Sequence, residues 1–244
     1  MVYNYRMAAK IDTLIVSDIH LGSLVSRAKK LTELIEETDF KRLILLGDIF
    51  HDVRIDRLQK DHWDFLSSIK TISDDAARQV IWIRGNHDHA LADNVSALFG
   101  VKWCDEYLWE FKGKRYLAIH GHRFVKVAVE NKFVRRFTDP FYLFLQRIDK
   151  KNRHIVRLLN VAHSRGLMLP RQVALGAAEY ARDLKVEYIF CGHTHKADEK
   201  VFFADKENDE SVKVHYYNVG CWTTSPSTFA AVHGNGEVTL EEFS

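Results

Sequence analysis

The chain has 244 residues, of which 46% are apolar and 28% charged, and its formal net charge is only +2. That length supports one good core, the composition is that of an ordinary globular protein, and so small a charge gives no whole-molecule field favouring nucleic acid or membrane. The start MVYNYRMAAK lacks a signal-like apolar region, no apolar run approaches the about 18 residues of a spanning helix, and Cys104, Cys191 and Cys221 are too scattered for a disulfide framework or structural zinc. The expectation is a single domain over 1–244 in a reduced, cytoplasmic setting.

Short runs rich in β-branched and aliphatic residues predict buried strands at Asp12–Ser17, Arg42–Leu46, Val80–Ile83, Arg115–Ile119 and Glu187–Cys191. Between the first three lie helical stripes, Leu24, Leu31, Leu34 and Ile35 in one, and Leu58, Trp63, Phe65, Leu66 and Ile69 in the next. Strand–helix alternation predicts a largely parallel or mixed sheet covered by helices. From Arg123 to about Leu184 the pattern is helical and interrupts the strand rhythm, which predicts a helical insertion over 123–184. Beyond it, Val201–Ala204, Lys213–Val219 and Ser227–Val232 read as antiparallel strands, and Gly234-Asn235-Gly236 predicts a hairpin turn before Glu237–Leu240.

Each of the five early strands runs straight into metal-ligand or acid–base residue types. The clusters are Ser17-Asp18-Ile19-His20, Gly47-Asp48, Gly85-Asn86-His87-Asp88, His120-Gly121-His122 and Gly192-His193-Thr194-His195. Singly, each is an ordinary strand-end turn or helix cap. Five of them behind successive strands converge on the rim where α/β sheets bind ligands. Carboxylate oxygen mixed with imidazole nitrogen suits Mn, Fe, Zn or Co rather than Ca. Asp18 and His20, two apart on extended chain, are expected on one side, as are His193 and His195, with Asp48 as a bridging carboxylate. Two metals can share a hydroxide and clamp a phosphoryl group. Glycine before Asp48, Asn86 and His193 is expected to allow sharp turns into the crevice.

The ordered set D-x-H, G-D, G-N-H-D, H-x-H and G-H-T-H, from about Leu14 to Val219, resembles the calcineurin-like metallophosphoesterase superfamily. The resemblance implies an α/β fold, a four-layer α/β/β/α sandwich, with two divalent ions, Mn ahead of Fe, Zn or Co. It implies Asp18, His20, Asp48 and His195 around one ion and Asp48, Asn86, His120 and His193 around the other. His87 would then stand near the leaving group with Asp88 orienting it, a sensible general acid.

Ser17–Gly22 (SDIHLG), Gly192–Ala197 (GHTHKA) and Tyr216–Val232 resemble the UDP-2,3-diacylglucosamine pyrophosphatase branch, which carries a helical lid where this chain has its insertion. Two residues depart from the best-known enzymes of that branch, which have Arg where this chain has His87 and Asp where it has His122. The implied reaction is hydrolysis of a nucleotide-sugar lipid to UMP and a lipid phosphate. A phosphodiesterase or nuclease is the alternative within the class, and a non-catalytic binding scaffold the alternative outside it.

Residues 123–171 hold twelve Lys and Arg against Glu130, Asp139 and Asp149, interleaved with Phe124, Phe133, Phe137, Phe141, Tyr142 and Phe144. Such a segment suits a lipid-linked phosphorylated substrate or peripheral contact with the inner face of a membrane, and nucleic acid less. The bland alternative is a solvated cationic face over an apolar stripe. His122 and Arg123 are the candidate substrate contacts.

Overall fold

The computed structural model describes residues 10–88, 99, 101, 103–125, 169–203 and 213–244. In chain order these form β1 (Ile11–Val16), α1 (Ala28–Glu37), β2 (Phe40–Leu46), α2 (Lys60–Asp74), β3 (Gln79–Ile83), β4 (Trp103–Cys104), β5 (Glu106–Phe111), β6 (Lys114–Ile119), α3 (Leu169–Asp183), β7 (Tyr188–Cys191), β8 (Asp198–Phe202), β9 (Val214–Asn218), β10 (Ser227–His233) and β11 (Val238–Phe243).

The strands divide between two sheets, ordered β11-β10-β1-β2-β3-β4 and β5-β6-β7-β9-β8. Strands β1 to β4 pair in parallel, and β10 runs antiparallel to both β1 and β11. In the second sheet β6, β7 and β9 are parallel, with β5 and β8 antiparallel at the edges. The expected antiparallel character of the C-terminal strands holds for β8 with β9 and for β10 with β11, while β9 runs parallel to β7 on its other side.

Period-two alternation sorts the apolar residues into three cores. Ile15, Ile44, Leu46 and Ile83 of the first sheet face Tyr116, Ala118, Phe190 and Tyr217 of the second. Leu14, Val16, Leu43, Leu45 and Trp82 point the other way, onto Leu31, Leu34, Phe65, Leu66 and Ile69 of α1 and α2. Leu117, Ile119, Ile189, Val214 and Tyr216 pack against Val173, Ala174, Ala177, Ala178 and Ala181 of α3. Helix, sheet, sheet, helix is the α/β/β/α sandwich, and burial on both faces is why strands such as Leu43–Leu46 read as unbroken apolar runs.

Some elements differ from their expected form. Trp63 belongs to α2 but is 46% exposed, so the buried stripe is His62, Phe65, Leu66, Ile69 and Ile72. Leu169–Asp183, assigned from sequence to the insertion, is instead the outer layer of the second sheet, and its alanines let the helix approach closely. Of the rest of the 123–184 segment, residues 126–168 lie outside the described structure. None of the described helices is long and apolar enough to cross a membrane.

His62 ties α2 to the loop after β1. It is buried, and its Nδ1 accepts from the backbone N–H of Gln59 at 3.1 Å and of Gly22 at 3.2 Å. Burial pushes its pKa down, against the opposing pull of Asp61. A histidine depressed in the folded state contributes stability above its ordinary value of about 6.5 that is lost as pH falls below it. His62→Gln keeps a capping acceptor but cannot titrate. Thermal melts of metal-free protein should therefore fall less steeply below about pH 6.5 in His62→Gln than in wild type.

Candidate metal centre

The loops leaving β1 and β2 zip together beyond the strands. The backbone N–H groups of Asp18 and His20 donate to the carbonyls of Gly47 and Asp48 at 3.1 and 3.0 Å, and Leu21 donates to Ile49 at 2.7 Å. The second sheet joins the same rim, where Gly192 donates to the His120 carbonyl at 3.3 Å and Trp222 to the Asp18 carbonyl at 3.1 Å. Three ligand-bearing loops of one sheet thus meet two of the other.

The expected ligand pairs converge, but not by extended-strand alternation. Asp18, His20, Asp48, His193 and His195 all sit at positive φ, between 50° and 71°. That left-handed region is costly for residues with a Cβ and gathers at functional sites. Of the preceding glycines, Gly47 is itself left-handed at φ 78°, whereas Gly85 and Gly192 are not among the positive-φ residues. Those two are needed for space. A Cβ on Gly85 would overlap the Asp48 amide and Oδ1, and one on Gly192 would overlap Ser17 Oγ and Asp18 Oδ2.

Both buried carboxylates divide their oxygens between backbone and crevice. Asp18 Oδ2 accepts from Ser17 Oγ at 2.5 Å and from the His193 N–H at 2.9 Å, while Oδ1 lies 3.1 Å from His195 Nε2, 3.5 Å from His120 Nε2 and 3.8 Å from His20 Nε2. Asp48 Oδ1 accepts from the His87 N–H at 2.9 Å, while Oδ2 lies 3.7 Å from His120 Nε2 and 3.9 Å from His87 Nε2. The His20 and His195 Nε2 atoms are 3.2 Å apart. Donor atoms fall within 4.8 Å of one another in the groups Asp18–His20–His195 and Asp48–His120–His193. His120 Nε2, between the two carboxylates, links them.

The buried atoms Asp18 Oδ1, Asn86 Oδ1 and His120 Nε2 make no hydrogen bond among the described residues. Orphaned buried acceptors of these types on a rim of imidazoles are the donor set of first-row divalent cations, and the residues present fit two such ions. The electrostatics agree. Burial opposes ionisation of Asp18, but His195 and His120 hold it well below the carboxylate range. At Asp48 burial is likewise outweighed, by His120, His87 and His20. Burial works against protonation of His120 too, yet Asp48 and Asp18 push it up to about 9, and at His195 Asp18 outweighs burial and holds the imidazole well above its ordinary range. Burial, then repulsion from His120, pushes His193 down to about 3. The pocket has strong demand for positive charge.

The remaining expected residues sort less uniformly. The His87 ring is oriented by the His51 carbonyl, 2.7 Å from its Nδ1, and not by Asp88. The Asp88 carboxylate instead accepts from the N–H groups of Gly85 at 2.9 Å, Phe50 at 3.0 Å and Ile49 at 3.4 Å, locking the loops after β2 and β3 together. Burial, then Asp48, raises its pKa to about 6. Arg123, expected to touch substrate, places its guanidinium 3.0 Å from Glu106 Oε2 and over the Tyr180 ring. His122 faces His120, with their Nδ1 atoms 3.1 Å apart. Sequence reasoning passed over His51, whose donor atom groups with those of His20 and His87. It lies three residues beyond Asp48, outside the pairs immediately following a strand, and only the surplus of thirteen histidines hinted at it.

Comparison with known proteins places this geometry in context. Residues 11–197 match the family model described as calcineurin-like phosphoesterase. No curated protein matches the chain. Among solved structures it is similar to vacuolar protein sorting 29 from Cryptosporidium parvum, at 14% identity and a TM-score of 0.47 over 97% of this chain and 98% of that one. It is also similar to an archaeal phosphodiesterase, at 15% identity and 0.46 over 95% and 99%, and to Yfce, a phosphoesterase from E. coli, at 17% and 0.46 over 95% and 99%.

The tight seat of Gly192 gives a test of the site's construction. Gly192→Ala should cost about 1–3 kcal/mol by overpacking and displace Asp18. Denaturant melts and metal titration should both register the change.

Proposed function

The chain belongs to the calcineurin-like phosphoesterase family, and from that premise we propose that it hydrolyses a phosphodiester or pyrophosphate bond with two divalent metal ions. Asp18, His20 and His195 would hold one ion and Asn86, His120 and His193 the other, with Asp48 shared. The observation that supports this best is the pair of donor groups joined by His120, with buried acceptors left unsatisfied among the described residues. When bound, two such ions supply charge to the phosphoryl oxygens and lower the pKa of water.

The chain's own residues contribute the rest. Asp18 and Asp48 are pre-aimed because one oxygen of each is pinned by a backbone N–H. Asp88 fixes the loop that carries His87. Because His87 Nδ1 must donate to the His51 carbonyl, Nε2 is the nitrogen that can give or take a proton at the rim. We assign it the proton delivered to the leaving oxygen.

For substrate, a UDP-2,3-diacylglucosamine-type lipid is the first choice, supported by the resemblance at Ser17–Gly22, Gly192–Ala197 and Tyr216–Val232. The basic and aromatic sequence of 123–171 suits its anionic headgroup at the inner face of a membrane, consistent with a cytoplasmic enzyme held peripherally. Manganese is the first metal to test.

Two predictions follow from the donor set. Mn at 100 times its Kd should add about 2.7 kcal/mol of stability, a rise of roughly 5–10 °C in Tm, and Asp48→Asn should lose most of that rise. Asp48→Asn and His195→Ala should each remove metal-dependent turnover with the circular dichroism spectrum unchanged. Full activity in either refutes the assignment. UDP-diacylglucosamine, bis-p-nitrophenyl phosphate and single-stranded DNA, tested side by side with Mn, separate the substrates. Salt-sensitive cleavage of DNA alone would favour a nuclease, and an absence of metal after manganese-replete purification would favour a scaffold.

A further inference from the structure

We infer that His122 is a positioning residue for the metal centre, accepting the Nδ1–H of His120 and thereby holding the His120 Nε2 lone pair toward the two buried carboxylates. The inference rests on the metal-dependent reading above.

His120 has no exposure to solvent, and its Nε2 points between Asp18 Oδ1 at 3.5 Å and Asp48 Oδ2 at 3.7 Å without making a hydrogen bond among the described residues. To bind a cation there, Nε2 must carry a lone pair, so the ring proton resides on Nδ1. A buried N–H needs an acceptor. The contact at hand is Nδ1 of His122, 3.1 Å away, with the two rings 5.3 Å apart and inclined at 45°. Two N–H groups cannot face each other, and neither can two lone pairs. The tautomer of His120 therefore dictates that of His122, with acceptor Nδ1 and the proton on Nε2.

The backbone is built to present this pair. Gly121 between them is left-handed, at φ 94°, and turns the chain so that both rings face each other. His122 opens a short 3-10 turn, His122–Phe124, whose Phe124 sits so close to α3 that a Cβ on Gly176 would lie 2.9 Å from Phe124 Cβ. On its other side the His120 ring lies against Gly47, where a Cβ would overlap it. His120 is thus fixed by Gly47 beneath and by His122 at its outer nitrogen. An imidazole acceptor adds no carboxylate to a group whose one carboxylate is Asp48.

The test is metal affinity rather than turnover. His122→Ala should weaken one of the two ions by about 10–100-fold in calorimetric Mn titrations, the range seen when such outer partners are removed. Visible absorption of the Co-loaded protein should shift with it, and the circular dichroism spectrum of the metal-free protein should stay unchanged. His122→Asn and His122→Asp, which restore an acceptor, should recover most of the affinity. Wild-type affinity for both ions in His122→Ala overturns the inference, and if turnover alone is impaired the residue contacts substrate instead. Equal weakness in the Ala, Asn and Asp variants also overturns it. A wild-type protein that binds two ions, shows this pattern and hydrolyses none of the three substrates would refute the proposed activity and leave the positioning role standing.

Discussion

Two carboxylates, Asp18 and Asp48, are buried where the ends of the two sheets meet, and much of the rim is organised by what that burial demands. An isolated buried charge is expensive, so each must be paired and hydrogen-bonded. Each spends one oxygen on the backbone of a neighbouring loop, which fixes the aim of the other. The imidazoles then surround the outward oxygens because they can carry a proton or yield a lone pair to a cation, as the environment requires. Charge compensation, more than packing, accounts for the concentration of histidine at this place in the chain.

The same demand explains the left-handed residues. Strand geometry would carry successive side chains to opposite faces and scatter the donors. Turning the chain back at Asp18, His20, Asp48, His193 and His195 gathers them, at a local cost that the three flanking cores can offset. The glycines share the task unequally, since only Gly47 is needed for its dihedral angle while Gly85 and Gly192 are needed for their missing side chain.

Much of this was legible in the sequence because strand periodicity and ligand chemistry coincide at the same five points. The donor residues emerge from order and type, and their grouping was implied by the family resemblance that those residues carry. What sequence could not supply is partnership. That Asp88 serves the amides of Gly85 and Phe50, and that Arg123 is held by Glu106, depend on loops far apart in the chain. The edge strand Glu106–Phe111 was missed because its partly exposed face breaks the apolar run, and the parallel pairing of β9 with β7 was not foreseen because pairing direction is a property of the neighbours. His51 was missed because it lies three residues past Asp48, beyond the strand-end signal.

The anchoring around Arg123 has a further bearing on how the molecule can change over evolutionary time. Arg123 is clamped to β5 and to Tyr180, Phe124 is seated against Gly176, and Val125 is buried, while α3 from Leu169 onward is welded to the second sheet. Both attachment points of the intervening 126–168 stretch therefore belong to the rigid body. Selection therefore acts on Glu106, Arg123, Phe124, Gly176 and Tyr180 as one set, since a change in any of them loosens the seat of another.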